Sequence, residues 1–129
     1  MAHPNEQHVR DLYAAMARRD GRALAKALGP DTRWVVAGRG KLAGTYVGPD
    51  AIFDFWRRVA EESGGGLRLS LRDVLANDSR AVALVDVVGT RGEKTLEAPQ
   101  LVVFEFDRGR VGEARFVYED QAAYDAFWA

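Results

Sequence analysis

The stretch spanning residues 80–118 constrains this chain most, because three strand-like segments follow one another there with only short turns between them. Ala81-Val82-Ala83-Leu84-Val85-Asp86-Val87-Val88 is apolar at both parities of a period-two pattern. Either facing therefore leaves Asp86 beside apolar neighbours, buried or at an interface. An unpaired carboxylate is costly in such surroundings, so Asp86 should be hydrogen-bonded, protonated or set in a cavity. Alternation continues through 101–106 and 111–118, where Ala114, Phe116 and Tyr118 share one face and Glu113 and Arg115 the other. Arg91-Gly92-Glu93 and Asp107-Arg108-Gly109 read as the turns that join the three.

The first half of the chain carries helical periodicity instead. Asn5 can cap a helix whose Val9, Leu12, Tyr13 and Met16 form a one-sided apolar stripe ending near Asp20-Gly21. A shorter helix over 22–28 should stop at Gly29-Pro30. Residues 32–36 read as a strand, and 37–48 as a glycine-rich connection with an extended piece at Thr45-Tyr46-Val47. Pro49 and Asp50 open a third helix with Ile52, Phe55, Trp56 and Val59 on its buried side, and Gly64-Gly65-Gly66 ends it. Leu67, Leu69 and Leu71 alternate with polar residues in a strand reaching about Leu75. A last helix from about Asp120 sets Tyr124, Phe127 and Trp128 on one side, to cover the sheet, cap a pocket or meet a second subunit. Helices segregated before an antiparallel meander imply a single α+β domain over 1–129, with helices on one face of a curved sheet.

Composition narrows the function. Lys and Arg total 18 against 19 Asp and Glu, a net charge of −1, which leaves no electrostatic footprint for nucleic acid or an anionic membrane. No cysteine is present, which excludes disulfides, thiolate metal sites and cysteine nucleophiles. His3 and His8 are the only histidines, too few for a zinc site without other converging ligands, so no metal is expected. No apolar run approaches a membrane span and no basic region precedes an apolar one at the start, so a cytoplasmic protein is expected. The glycines around Lys41 lack the spacing and the hydroxyl residue of a phosphate loop. Asp86 stands out: it is either a strand acid paired at an edge or dimer contact, or a buried acid whose pKa is raised toward neutrality for general acid or base work.

The segments 9–20, Asp31-Thr32-Arg33-Trp34 and Gly44-Thr45-Tyr46-Val47-Gly48-Pro49-Asp50-Ala51-Ile52, with Asp73-Val74-Leu75-Ala76 and Asp125-Ala126-Phe127-Trp128, resemble the SnoaL-like branch of the nuclear-transport-factor-2-like superfamily. The resemblance covers nearly the whole chain. It implies a cone-shaped, curved antiparallel sheet packed against three N-terminal helices plus a short C-terminal helix, a pocket between them, and often a homodimer through the outer sheet face. It also turns Leu84, Asp86 and Val88 into the pocket. Aligned with ketosteroid isomerase, the chain has Val36 at the general base, a position near Val102 at the oxyanion-hole acid, and Leu12, next to Tyr13, at the oxyanion tyrosine. Aligned with limonene epoxide hydrolase, it keeps only the central aspartate, at Asp86; Trp34, Val36, Leu84 and Phe116 replace the other polar groups.

These readings lead to an expected small-molecule enzyme without metal or organic cofactor, acting by acid and base chemistry on a hydrophobic cyclic or polyketide-like substrate. Asp86 would be the acid or base, and Tyr118, with Tyr13 or Tyr46, a hydrogen-bond donor to substrate oxygen. Trp34, Val36, Phe55, Trp56, Val102, Phe104, Ala114 and Phe116 would complete the wall, with Leu84 and Val88 on the pocket side of their strand. The alternative is a binding or carrier module for a hydrophobic small molecule, with no chemistry of its own.

Overall fold

The computed structural model describes residues 3–129. In chain order it contains α1 (Pro4–Arg18), α2 (Gly21–Ala27), β1 (Leu28–Val36), β2 (Gly44–Val47), α3 (Pro49–Ser63), β3 (Arg68–Ala76), β4 (Arg80–Arg91), β5 (Lys94–Asp107), β6 (Arg110–Tyr118) and α4 (Gln121–Phe127). The six strands form one unclosed sheet in the order β2-β1-β6-β5-β4-β3. All neighbours are antiparallel except β1 and β6, which run parallel. This is an α+β cone with the helices on the inner face of the sheet, α1 over β3 and β4, and α3 over β1, β2 and β4.

The elements begin and end for local reasons, some of which differ from the sequence reading. His3, not Asn5, caps α1: its Nδ1 accepts from Asn5 N at 3.0 Å, and its Nε2 donates to Asp78 Oδ1 at 2.9 Å. Pro4 then takes the first helical turn, where its missing N–H costs nothing. Asn5, the next residue, is buried and donates from Nδ2 to the carbonyls of Asn77 and Asp78, tying α1 to the β3–β4 turn. Gly29-Pro30 does not stop α2 in a loop. The pair lies inside β1, where the register with β6 shifts between Leu28 and Arg33. A second shift in β3, between Leu71 and Asp73, turns Leu69 and Leu71 inward before it and Val74 inward after it.

The inner face is the core. Ala81, Ala83, Val85 and Val87 of β4, Leu96, Ala98, Val102 and Phe104 of β5 and Ala114 of β6 are buried beneath Val9, Leu12 and Ala15 of α1 and Ile52 and Phe55 of α3. Gly89 marks where a side chain would interfere, because an added Cβ would stand 2.7 Å from Leu67 Cδ1 and 3.2 Å from Phe127 Cζ. Its absence lets α4 settle against the sheet.

Candidate functional site

Where α1, α3 and α4 converge on β1, β5 and β6, the inner face is incompletely filled. The space left has a volume of about 80 Å³, enough for on the order of five waters. Tyr13 and Met16 of α1, Trp34 and Val36 of β1, Phe55, Trp56 and Val59 of α3, Gln100 of β5, Phe116 and Tyr118 of β6, and Tyr124 and Trp128 from the α4 end surround it, with Leu67 and Leu69 at its mouth. It shares Tyr13, Met16, Trp56, Val59, Leu67 and Leu69 with a groove of about 1090 Å³ between α1, α3 and the free edge of β3.

The wall is aromatic and holds its own geometry. Trp34 stands edge-on to Trp56 with centroids 5.4 Å apart and leans on Phe116 at 5.1 Å, while Tyr118 stacks on Tyr124 at 3.9 Å. Gln100 Nε2 donates to the Tyr118 hydroxyl at 2.6 Å. Burial pushes the Tyr13 hydroxyl well up, and it raises Tyr118 too, helped by the neighbouring Tyr124. Tyr124 is pushed up to about 12, again by burial first. All three phenols are therefore protonated near neutral pH and serve as donors, not bases.

Three buried polar atoms have no hydrogen-bond partner among the described residues: Trp34 Nε1, Trp128 Nε1 and Gln100 Oε1. All three belong to side chains on the cavity wall. Trp128 Nε1 has the Tyr124 hydroxyl beside it but does not reach hydrogen-bond geometry. Buried polar groups are nearly always satisfied, and each orphan costs about 1–3 kcal/mol. Two N–H donors and one carbonyl acceptor, all on side chains of one cavity wall, are thus left without a partner from this chain. Among the described residues no Asp, Glu, His, Lys or Arg lines this space, so a charge placed there would be uncompensated.

Several expected residues sit elsewhere. Asp86 lies on the outer face of β4, its side chain 43% exposed and its Oδ2 3.5 Å from Arg72 Nε. Leu84 and Val88 share that face, with Val88 47% exposed. The placement of these three in the pocket is corrected by the pairing of β4, whose odd-numbered residues face the helices. With Asp86 goes the burial on which its acid or base role depended. Val102, Phe104 and Ala114 do point inward, but they are sealed in the core beneath the cavity instead of lining it. Tyr46 also stays off the wall, its hydroxyl donating to the Leu42 carbonyl at 2.7 Å and its ring against Phe55. Tyr13, Trp34, Val36, Phe55, Trp56, Phe116 and Tyr118 are brought together. Gln100 was missed, although a polar residue in step with Leu96, Ala98 and Val102 on β5 was a readable signal.

α4 covers this cavity within the same chain. Arg91 Nη1 donates to the Phe127 and Ala129 carbonyls at 3.2 and 2.8 Å, and Nη2 to Glu62 at 3.2 Å. Lys41, ahead of Arg91, holds the Glu62 carboxyl below its ordinary value. Asp120 caps the first turn of α4 through the Ala123 N–H.

A curved sheet covered on its inner face by helices, with a cavity between them, defines a class shared with known proteins. The model of the SnoaL-like domain matches residues 9–114, and the chain belongs to that family, within the nuclear-transport-factor-2-like superfamily. An uncharacterized protein of Mycobacterium tuberculosis, Rv0034, is 31% identical over 122 residues, 94% of this chain and 93% of the relative. Among solved structures, Bal32a from a soil-derived mobile gene cassette is 34% identical with a TM-score of 0.92, covering 98% of this chain and 97% of its own. An NTF2-like protein of unknown function from Burkholderia pseudomallei is 26% identical with a TM-score of 0.86, covering 99% of each chain.

Proposed function

We propose that this protein binds a hydrophobic, ring-containing small molecule that enters from the groove with an uncharged oxygen leading. The observation that carries this reading is the set of three orphan polar atoms around a cavity without charge. A hydroxyl or enol oxygen can accept from the indole N–H groups of Trp34 and Trp128 and donate to Gln100 Oε1, while aromatic walls take the ring. The enclosed volume admits only the leading part of such a molecule, so its body would rest in the groove. The test compares 2-naphthol with naphthalene by calorimetric or fluorescence titration. Naphthol is expected to bind roughly tenfold tighter, about 1.4 kcal/mol, and Gln100→Leu to remove most of that difference. Equal affinity for the two, or no binding of either, would contradict the reading.

Catalysis is a second reading, favoured by the tyrosine hydroxyls on the same wall. Tyr118 and Tyr13 can polarise a substrate carbonyl in an isomerisation or cyclisation. Their raised pKa values argue against proton abstraction by either, so the proton transfer would have to lie within the substrate or use water. We further propose a homodimer through the outer sheet face. Leu75, Val82, Leu84, Leu101, Val103 and Val117 form an apolar band there, flanked by the pairs Arg72–Asp86, Arg80–Glu105 and Arg115–Glu113. Pairs of both signs around an apolar band suit a partner with the same surface.

A further inference from the structure

The groove outside the cavity has a chemical character of its own. Its apolar floor includes Met16, Phe53, Trp56 and Leu69, yet the charged residues on its walls are Arg10, Arg19, Arg57 and Arg68, with no acid among them. The bias is local, since the whole chain carries a net charge of −1. Arg10 is engaged by Glu6 and Asp73, and Arg57 by Asp54. Arg19 and Arg68 form no ion pair among the described residues. We propose that these two guanidinium groups hold the anionic end of an amphipathic organic anion whose apolar body lies in the groove.

Topology brings the pair to one end of the groove. α1 and β3 run in opposite directions, tied at one end by His3 to Asp78 and further along by Arg10 to Asp73. From that second tie, Arg19 lies about 14 Å along the helix and Arg68 roughly 17 Å along the strand. Both therefore lie toward the same end of the groove whose lining includes them. Arg19 also occupies the left-handed cap of α1, at φ 56°, where glycine is the common residue. An arginine there adds a planar, permanently charged fork that binds carboxylate or sulfonate with two parallel hydrogen bonds. The arrangement sorts the ligand by polarity: uncharged oxygen at the closed end, ring in the middle, anion at the rim. It rests on the proposed ligand-binding role of the cavity and specifies the class of ligand.

The test uses two fluorescent probes with the same body, 1-anilinonaphthalene-8-sulfonate and its uncharged counterpart N-phenyl-1-naphthylamine. The sulfonate is expected to bind about tenfold tighter at low ionic strength, with the advantage shrinking as salt is added. The double substitution Arg19→Gln with Arg68→Gln should weaken the sulfonate by roughly tenfold and leave the neutral probe within about twofold. Both side chains are exposed, so the variant is expected to keep its far-ultraviolet circular dichroism. If the neutral probe binds as well as the sulfonate, or the substitutions leave the sulfonate unchanged, the anion-binding rim is wrong while the pocket stands. If neither probe binds, the pocket itself is wrong and the rim falls with it.

Discussion

At the scale of single residues, Gln100 and Asp86 exchange the importance that their chemistry suggests. Asp86 is the acid a reader of the sequence selects, because it interrupts an apolar strand. That strand is apolar on both faces, and the outer one carries Val82, Leu84 and Val88, so period two holds no information about facing. An offset of one residue inverts every side chain of a strand, and the resemblance placed Asp86 inward by matching it to the central aspartate of limonene epoxide hydrolase. Gln100 lies where alternation is clean, and its inward parity follows from its neighbours. Asp86→Asn is expected to leave naphthol affinity within twofold and to change stability by about 0–1 kcal/mol, the usual range for an exposed ion pair. A tenfold loss of affinity in that variant would restore a role for the acid.

Among the elements, α4 decides whether the cavity is closed. Its start at Asp120 and its aromatic side are written in the sequence, but the place where that side docks depends on contacts far along the chain. Arg91 supplies them, with donors to two carbonyls at the α4 end and to Glu62. Nothing local to Arg91-Gly92-Glu93 distinguishes this arginine from a turn residue. The register shifts in β1 and β3 were equally illegible, since they arise from pairing with β6 and β4. Replacing Arg91 by Met keeps the aliphatic stem and removes the donors. Thermal denaturation is expected to show a loss of about 2 kcal/mol, and hydrogen exchange to speed up in α4 before the rest of the fold. Unchanged exchange in α4 would mean that the helix is held by its aromatic packing alone.

For the molecule as a whole, the architecture was legible because each half of the chain has one dominant period, helical before Gly64 and two-residue after it. The cavity was only partly legible. Side chains that approach from seven elements converge there, and a core residue such as Phe104 has the same sequence signature as a lining residue such as Phe116. The same ambiguity explains the doubly apolar β4: one face serves the core, and the other forms the band proposed above as the contact with a second copy. Sedimentation equilibrium is expected to give twice the 14.3 kDa chain mass, and Leu101→Glu, at a half-exposed position in the band, to give the single-chain mass with the fold retained. A wild-type monomer at micromolar concentration would remove the dimer without touching the cavity.

The central claim is that the orphan polar atoms of the cavity belong to a ligand. It is tested most directly by following the indole N–H signals of the three tryptophans in a proton–nitrogen correlation spectrum during a 2-naphthol titration. The expected result is a saturable downfield shift of Trp34 and Trp128, the change that follows when an unpaired donor gains an acceptor, with naphthalene producing no such shift. Saturable binding that leaves both signals in place would contradict the account, because the ligand would then occupy a different site.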